Sequence, residues 1–125
     1  MREFGAAVLE PKGITYRFDS IGEPSSPIPP AMKKNLYLIF KEAVNNAAKH
    51  AGARSVFVEV SMNARALHVQ VDDDGSGMRT DAPVTGHGGN GLRNMRARAE
   101  EIGALFSTGI SDRGGVRVAV ELVMN

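Results

Sequence analysis

Glu42, Asn46 and Lys49 stand four and then three residues apart in the run Glu42-Ala43-Val44-Asn45-Asn46-Ala47-Ala48-Lys49-His50-Ala51. On a helix advancing about 100° per residue they share one narrow stripe, whereas Leu36, Phe40, Ala43 and Ala47 form a separate apolar stripe. One face is suited to burial and its neighbour to chemistry. A carboxylate one turn before a carboxamide, with a lysine a further turn on, offers a proton acceptor, an oxygen ligand for a hard cation and a point charge for phosphate. That set suits a magnesium nucleotide. A solvated amphipathic helix would carry the same residues, so the assignment turns on a second stretch.

Leu67, Val69 and Val71 alternate with His68, Gln70 and Asp72, so a strand runs directly into Asp73-Asp74-Gly75-Ser76-Gly77, which reads as D-x-G-x-G. Asp73 falls at the strand end. Gly75 and Gly77 remove side chains where a planar ring could approach backbone, and an ionised Asp73 is a pure acceptor for the exocyclic amine of adenine. Guanine presents a carbonyl at that edge and would be repelled. Asp72, Asp74, Ser76 and Gly77 also mimic the first half of a calcium-binding EF-hand loop, but the twelfth position is Pro83 and a strand, not a helix, leads in. Calcium is rejected on that ground.

The third element is Gly86-His87-Gly88-Gly89-Asn90-Gly91-Leu92-Arg93-Asn94-Met95. Leu92, Met95, Ala99 and Ile102 recur at helical spacing, Asn90 is the expected N-cap, and Gly103 closes the helix. A glycine-rich loop feeding a helix start gathers free amides and the positive end of the helix dipole, a natural seat for phosphates, with Arg93 and Arg96 close by.

In order and spacing the three stretches resemble the catalytic ATP-binding domain of sensor histidine kinases, within the superfamily shared with gyrase B, Hsp90 and MutL. E-A-V-N-N-A-A-K-H-A resembles the N box, D-D-G-S-G-M the G1 box and G-N-G-L-R-N-M the G2 box, and the likeness runs from about Ile14 to Leu122. The leading glutamate and the G-x-G-L-x-x-M form are most similar to NarX-, DesK- and LiaS-type kinases. The resemblance implies Asn46 as Mg²⁺ ligand, Glu42 as polariser or base near the γ-phosphate, Lys49 and His50 as phosphate contacts, and Asp73 as adenine reader. It implies backbone contacts to ATP from Gly75, Gly77, Gly89 and Gly91, with Met78 and Leu92 beside the nucleotide. Two departures stand out: Gly115-Val116 replaces the usual Gly-Thr, and Asn90 replaces the subfamily's histidine, with His87 three residues earlier.

The resemblance implies a partner: a separate dimerisation domain bearing the acceptor histidine, and indirectly a response regulator. An anti-sigma-type serine kinase shares E-x-x-x-N, but K-H-A and the R-x-R-A-E helix favour the histidine kinase. A module that senses ATP without transferring phosphate is the non-enzymatic alternative. A dinucleotide enzyme is excluded, because no G-x-G-x-x-G joins a strand to a helix.

Composition is compatible with that reading. At 125 residues and 42% hydrophobic content, the chain is expected to form one domain, 1–125, able to bury about two-thirds of its unfolded surface. Net charge is +1, and the 15 basic residues are scattered apart from Arg93, Arg96 and Arg98, which argues against nucleic acid. There is no cysteine, no apolar run of membrane-span length and no signal-peptide pattern, so a cytoplasmic domain without membrane contact is expected, on a parent that can itself be anchored.

The expected fold is an α/β two-layer sandwich, with helices on one face of a mixed sheet. Residues 1–12 form a leading helix end, and Ile14, Tyr16 and Phe18 a first strand. The main helix spans 31–50, and Val56, Val58 and Val60 pair with Leu67, Val69 and Val71 in a hairpin. Residues 78–90 are expected as an ATP lid and 91–102 as a helix, with strands at 105–110 and 115–123. Tyr37 and Met95 are expected to pack, and His68 to be half-exposed.

Overall fold

The computed structural model describes residues 1–22, 28–50, 54–63, 65–75 and 86–123, without the side chains of residues 50 and 86–90. Among the described residues, three helices cover one face of a five-stranded sheet. In chain order the elements are α1 (Arg2–Leu9), a 3₁₀ turn (Glu10–Lys12), β1 (Thr15–Ile21), α2 (Pro30–His50), β2 (Ser55–Met62), β3 (Ala66–Asp73), α3 (Gly86–Glu101), β4 (Leu105–Ile110) and β5 (Val116–Val123). The sheet order is β1-β2-β3-β5-β4. β1 runs parallel to β2 and all other pairs are antiparallel, which makes the sheet mixed as expected.

Local chemistry sets the boundaries. Pro30 opens α2, where a missing amide costs nothing, and the Pro29 carbonyl accepts from the amides of Met32 and Lys33. Between β2 and β3, Asn63 Oδ1 accepts from the amides of Arg65 and Ala66 at 2.8 and 2.9 Å, an Asx turn that fixes the hairpin. The register then sets Val58 opposite Val71 and Val60 opposite Val69, all buried. α3 stops at Gly103, whose φ of +72° reverses the chain while the Ala104 amide bonds the Ala99 carbonyl at 2.8 Å.

The core lies between that sheet face and the helices. Leu36, Ile39, Phe40, Ala43, Val44 and Ala47 of α2 and Met95 and Ala99 of α3 meet the valines of β2, β3 and β5. Phe4 of α1 stands edge-on to Tyr37 and Phe40, so Tyr37 packs, and Met95 is fully buried.

Most boundaries fall within a residue or two of the sequence reading, Ile14 lying just before β1, but the start of α3 differs by more. α3 begins at Gly86, so residues 86–90 are helical, and Asn90 lies inside the helix instead of capping it. Each glycine in a helix costs about 0.8–1.0 kcal/mol relative to alanine, which is why local propensity read this stretch as loop. Close approach of α3 to α2 at Gly91, described below, supplies a tertiary reason for glycine there. Residues 78–85 of the expected lid lie outside the described residues.

Candidate functional site

Asp73 places a carboxylate on the core face of the sheet. It lies beside Val56 in the register, with Val71 two residues before it on the same face, and is 5% exposed. A buried carboxylate needs donors, and two backbone amides supply them to one oxygen: Gly75 N to Oδ1 at 2.9 Å and Val116 N to Oδ1 at 3.1 Å. Oδ2 has no hydrogen-bond donor among the described residues. Among the described residues one oxygen is anchored and the other is not.

Gly115 makes this possible. A Cβ built on it would run into Asp73 Oδ1 and the Asp73 backbone carbonyl, so only glycine lets β5 approach closely enough for Val116 to donate. The next residue along, Asp74, has a different task. Its Oδ1 accepts from the amides of Arg54 and Ser55 at 2.8 and 2.9 Å and ties the start of β2 to the end of β3. Desolvation pushes its pKa up, but the Ser55 and Arg54 amides outweigh that and hold the carboxyl below its ordinary value.

On the helical side, Glu42 and Asn46 project half-buried from α2 toward α3. A Cβ on Gly91 would stand 2.5 Å from Glu42 Oε1 and 3.1 and 3.3 Å from the Asn46 carboxamide atoms. Gly91 is therefore the cradle wall for both polar groups, a role that spacing alone did not reveal. Lys49 is exposed one turn further on, Leu92 is half-buried against the core, and Arg93 and Arg96 are exposed. A groove of about 140 Å³ between α2 and α3, lined in part by Lys41, Glu42, Asn45, Asn94 and Arg98, leaves Glu42 reachable.

Of the residues singled out in the sequence, Glu42, Asn46 and Gly91 are brought together, and Asp73 and Gly75 are joined by a hydrogen bond. Gly77 and Met78 lie outside the described residues, as does the side chain of His50. Gly89 falls in the first turn of α3, and the free amides of the helix start include those of residues 86–88. A phosphate seat built on those amides is therefore displaced by about 7 Å along the axis from the expected cap at Asn90. In the sequence Gly115 and Val116 stand out only as a departure from a motif; the signal that marks them is a Gly-Gly pair before an alternating strand. Among the described residues no three His, Cys, Asp or Glu side chains cluster as a ready metal cage. Among the described residues no helix is long and apolar enough to cross a membrane.

The residues present fit an adenine nucleotide: a carboxylate in the sheet floor with one oxygen held by two amides, a glycine cradle, and a carboxylate–carboxamide pair on the neighbouring helix. Comparison with known proteins agrees. The profile of the histidine kinase-, DNA gyrase B-, and HSP90-like ATPase family matches residues 32–125. Sensor protein VraS of Staphylococcus saprophyticus is 32% identical over 98 residues, 78% of this chain and 28% of that protein, so the chain spans under a third of the curated relatives it matches. Among solved structures, the ATP binding domain of PrrB from Mycobacterium tuberculosis superposes with a TM-score of 0.67 at 20% identity, covering 98% of this chain and 93% of that one. The histidine kinase domain of the Erythrobacter litoralis EL346 blue-light activated histidine kinase gives 0.69 at 22%, covering 94% and 60%. At those identities the two structural likenesses establish the fold. The family match rests on three-quarters of the chain, and with it the chain belongs to the histidine kinase-, DNA gyrase B- and HSP90-like ATPases.

Proposed function

We propose that this domain is the catalytic module of a two-component sensor histidine kinase, binding Mg-ATP and donating the γ-phosphoryl group to a histidine on a separate dimerisation domain. One observation carries the reading: the same fold presents Asp73, with one oxygen anchored by two amides, and the Glu42–Asn46 pair cradled against Gly91. The kinship with VraS, a sensor protein by name, points the same way.

Bound Mg-ATP would supply the electrophilic phosphorus and its charge-neutralising cation. The chain's own residues do the rest. Asp73 Oδ2 accepts from the adenine amine, and Gly75, Gly77, Met78, Gly89, Gly91 and Leu92 border the nucleotide. Asn46 would offer its amide oxygen to Mg²⁺, and Lys49 and His50 would contact phosphate. Glu42 would polarise the incoming imidazole by accepting the proton of its non-attacking nitrogen, so that the other nitrogen bonds the γ-phosphorus as the bond to the leaving ADP breaks; the imidazole would reach it through the groove between α2 and α3. Positioning and electrostatics carry most of phosphoryl transfer, so the expected contribution of Glu42 lies toward the low end of about 10²–10⁴-fold. Such a domain works on the cytosolic side, where ATP is available, and passes its phosphate indirectly to a response regulator.

The test supplies Glu42→Gln in trans with a matching dimerisation domain. ATP binding should stay within a few-fold of wild type while transfer slows, and Asp73→Asn should instead lose most ATP affinity, a mismatch of about 1–3 kcal/mol. Wild-type transfer by Glu42→Gln would reduce Glu42 to a surface carboxylate. Nucleotide binding by the wild type with no transfer to any histidine partner would favour an ATP-sensing module, and transfer to serine an anti-sigma-type kinase.

A further inference from the structure

On the solvent-facing side of the sheet, a chain of side-chain hydrogen bonds runs along β3 without taking part in the site. His68 Nε2 lies 3.3 Å from Gln70 Oε1, and Gln70 Nε2 donates to Asp72 Oδ2 at 3.0 Å. Arg117 grips both oxygens of Asp72, Nε on Oδ1 at 2.9 Å and Nη2 on Oδ2 at 3.0 Å. Nη2 also donates to Asp112 Oδ2 at 3.2 Å. In the same turn as Asp112, Arg113 lies over the Phe57 ring, 3.6 Å from its centroid.

The position of this clamp is informative. Asp72–Arg117 is the last register pair between β3 and β5, where a ladder frays most easily. Successive strand residues point to opposite faces. The residues just beyond, Asp73 and Val116, therefore make their own bond on the inner face, from Val116 N to Asp73 Oδ1 at 3.1 Å. Asp112 and Arg113 belong to the β4–β5 turn, closed by Ser111 N on the Gly115 carbonyl at 2.8 Å, which delivers Gly115 against Asp73. An N–H···O bond of 3.1 Å has little slack before it weakens.

We propose that Arg117 is a positioning residue for base selection: by clamping Asp72 and Asp112 it holds the end of β5 and its turn in place, keeps the Val116 amide on Asp73 Oδ1, and so presents Oδ2 to the adenine amine. This rests on the reading of Asp73 as adenine acceptor. The planar guanidinium fork fixes both carboxylate oxygens at once, which a lysine ammonium does not.

The test compares Arg117→Met, Arg117→Lys, Asp72→Asn and Asp73→Asn in the full chain. Calorimetry measures ATP and inosine triphosphate, which carries a carbonyl in place of the amine; hydrogen exchange follows the Val116 amide. Arg117→Met should weaken ATP by about 2- to 30-fold and shrink its preference over inosine triphosphate by a similar factor. Val116 should exchange faster while central amides such as Val60 and Val69 do not. Arg117→Lys should recover only part, and adding Asp72→Asn to Arg117→Met should change little more. An unchanged ATP preference with unchanged Val116 exchange in Arg117→Met overturns the proposal, as does equal loss of protection across the whole sheet. If Asp73→Asn keeps full ATP affinity, the adenine reading fails and the proposal falls with it; if Asp73→Asn loses affinity and Arg117→Met does not, the positioning role alone fails.

Discussion

Alanine at Gly91 should separate stability from catalysis. Its Cβ would sit 2.5 Å from Glu42 Oε1, so that oxygen must retreat by roughly 0.9 Å to reach the 3.4 Å of ordinary contact. The obstacle is the far end of a flexible side chain. Moving it about 30° off its rotamer costs about 0.5–1.5 kcal/mol, whereas alanine in a helix interior gains about 0.8–1.0 kcal/mol over glycine. The two nearly cancel, and the stability of Gly91→Ala should stay within about 1 kcal/mol of wild type by denaturant unfolding. Catalysis has no such compensation, because a misplacement near 1 Å can cost about 10²-fold. Phosphoryl transfer in trans should therefore fall by about 10- to 100-fold, with the Asp73 end of the site untouched. Gly115→Ala is the contrasting case: its Cβ meets the backbone of Asp73, which cannot swing aside, so stability and ATP binding should fall together. A fully active Gly91→Ala, or one destabilised by more than about 3 kcal/mol, would refute the cradle argument.

Two further outcomes test the groups outside the site. The Tyr16 hydroxyl is buried with no partner among the described residues, and burial, reinforced by Glu3 and opposed by Arg2, pushes its pKa up to about 12. Tyr16→Phe should therefore be neutral or more stable by about 1 kcal/mol near pH 7, and absorbance titration should show Tyr16 ionising near 12, so the stability of the wild type should hold up to about pH 10 and fall as pH rises toward 12. Asp74→Ala should be less stable than wild type at pH 7, and the gap should close in acid. The folded-state pKa lies below the ordinary 3.8, so the stabilisation is present above that pH and disappears as pH falls through the folded value. A gap independent of pH down to acid unfolding would contradict the tie between Asp74 and the Arg54 and Ser55 amides.

Much of this molecule is decided by local pattern. The alternation Val56, Val58, Val60 and Leu67, Val69, Val71 specifies a hairpin with one apolar face, because a strand has a period of two. The apolar stripe of α2 specifies which helix face is buried, because a helix has a period of 3.6, and the same geometry leaves Glu42 and Asn46 on a neighbouring face. Type and spacing also mark Asp73 as a carboxylate at a strand end. What periodicity cannot express is a meeting between residues far apart in the chain. That Gly91 touches Glu42 and Asn46, that Gly115 and Val116 close over Asp73, and that Asp72 is gripped by Arg117 45 residues away are facts of tertiary approach. The start of α3 belongs with them. Glycines at 86, 88, 89 and 91 disfavour a helix locally, yet the helix extends back to Gly86, and at Gly91 it lies against Glu42 and Asn46 of α2. Residue types and their spacing say which chemical groups this protein can bring to a nucleotide; folding in three dimensions settles which oxygens and amides meet, because hydrogen-bond geometry and steric clearance act over ångströms in space and not over positions in the chain.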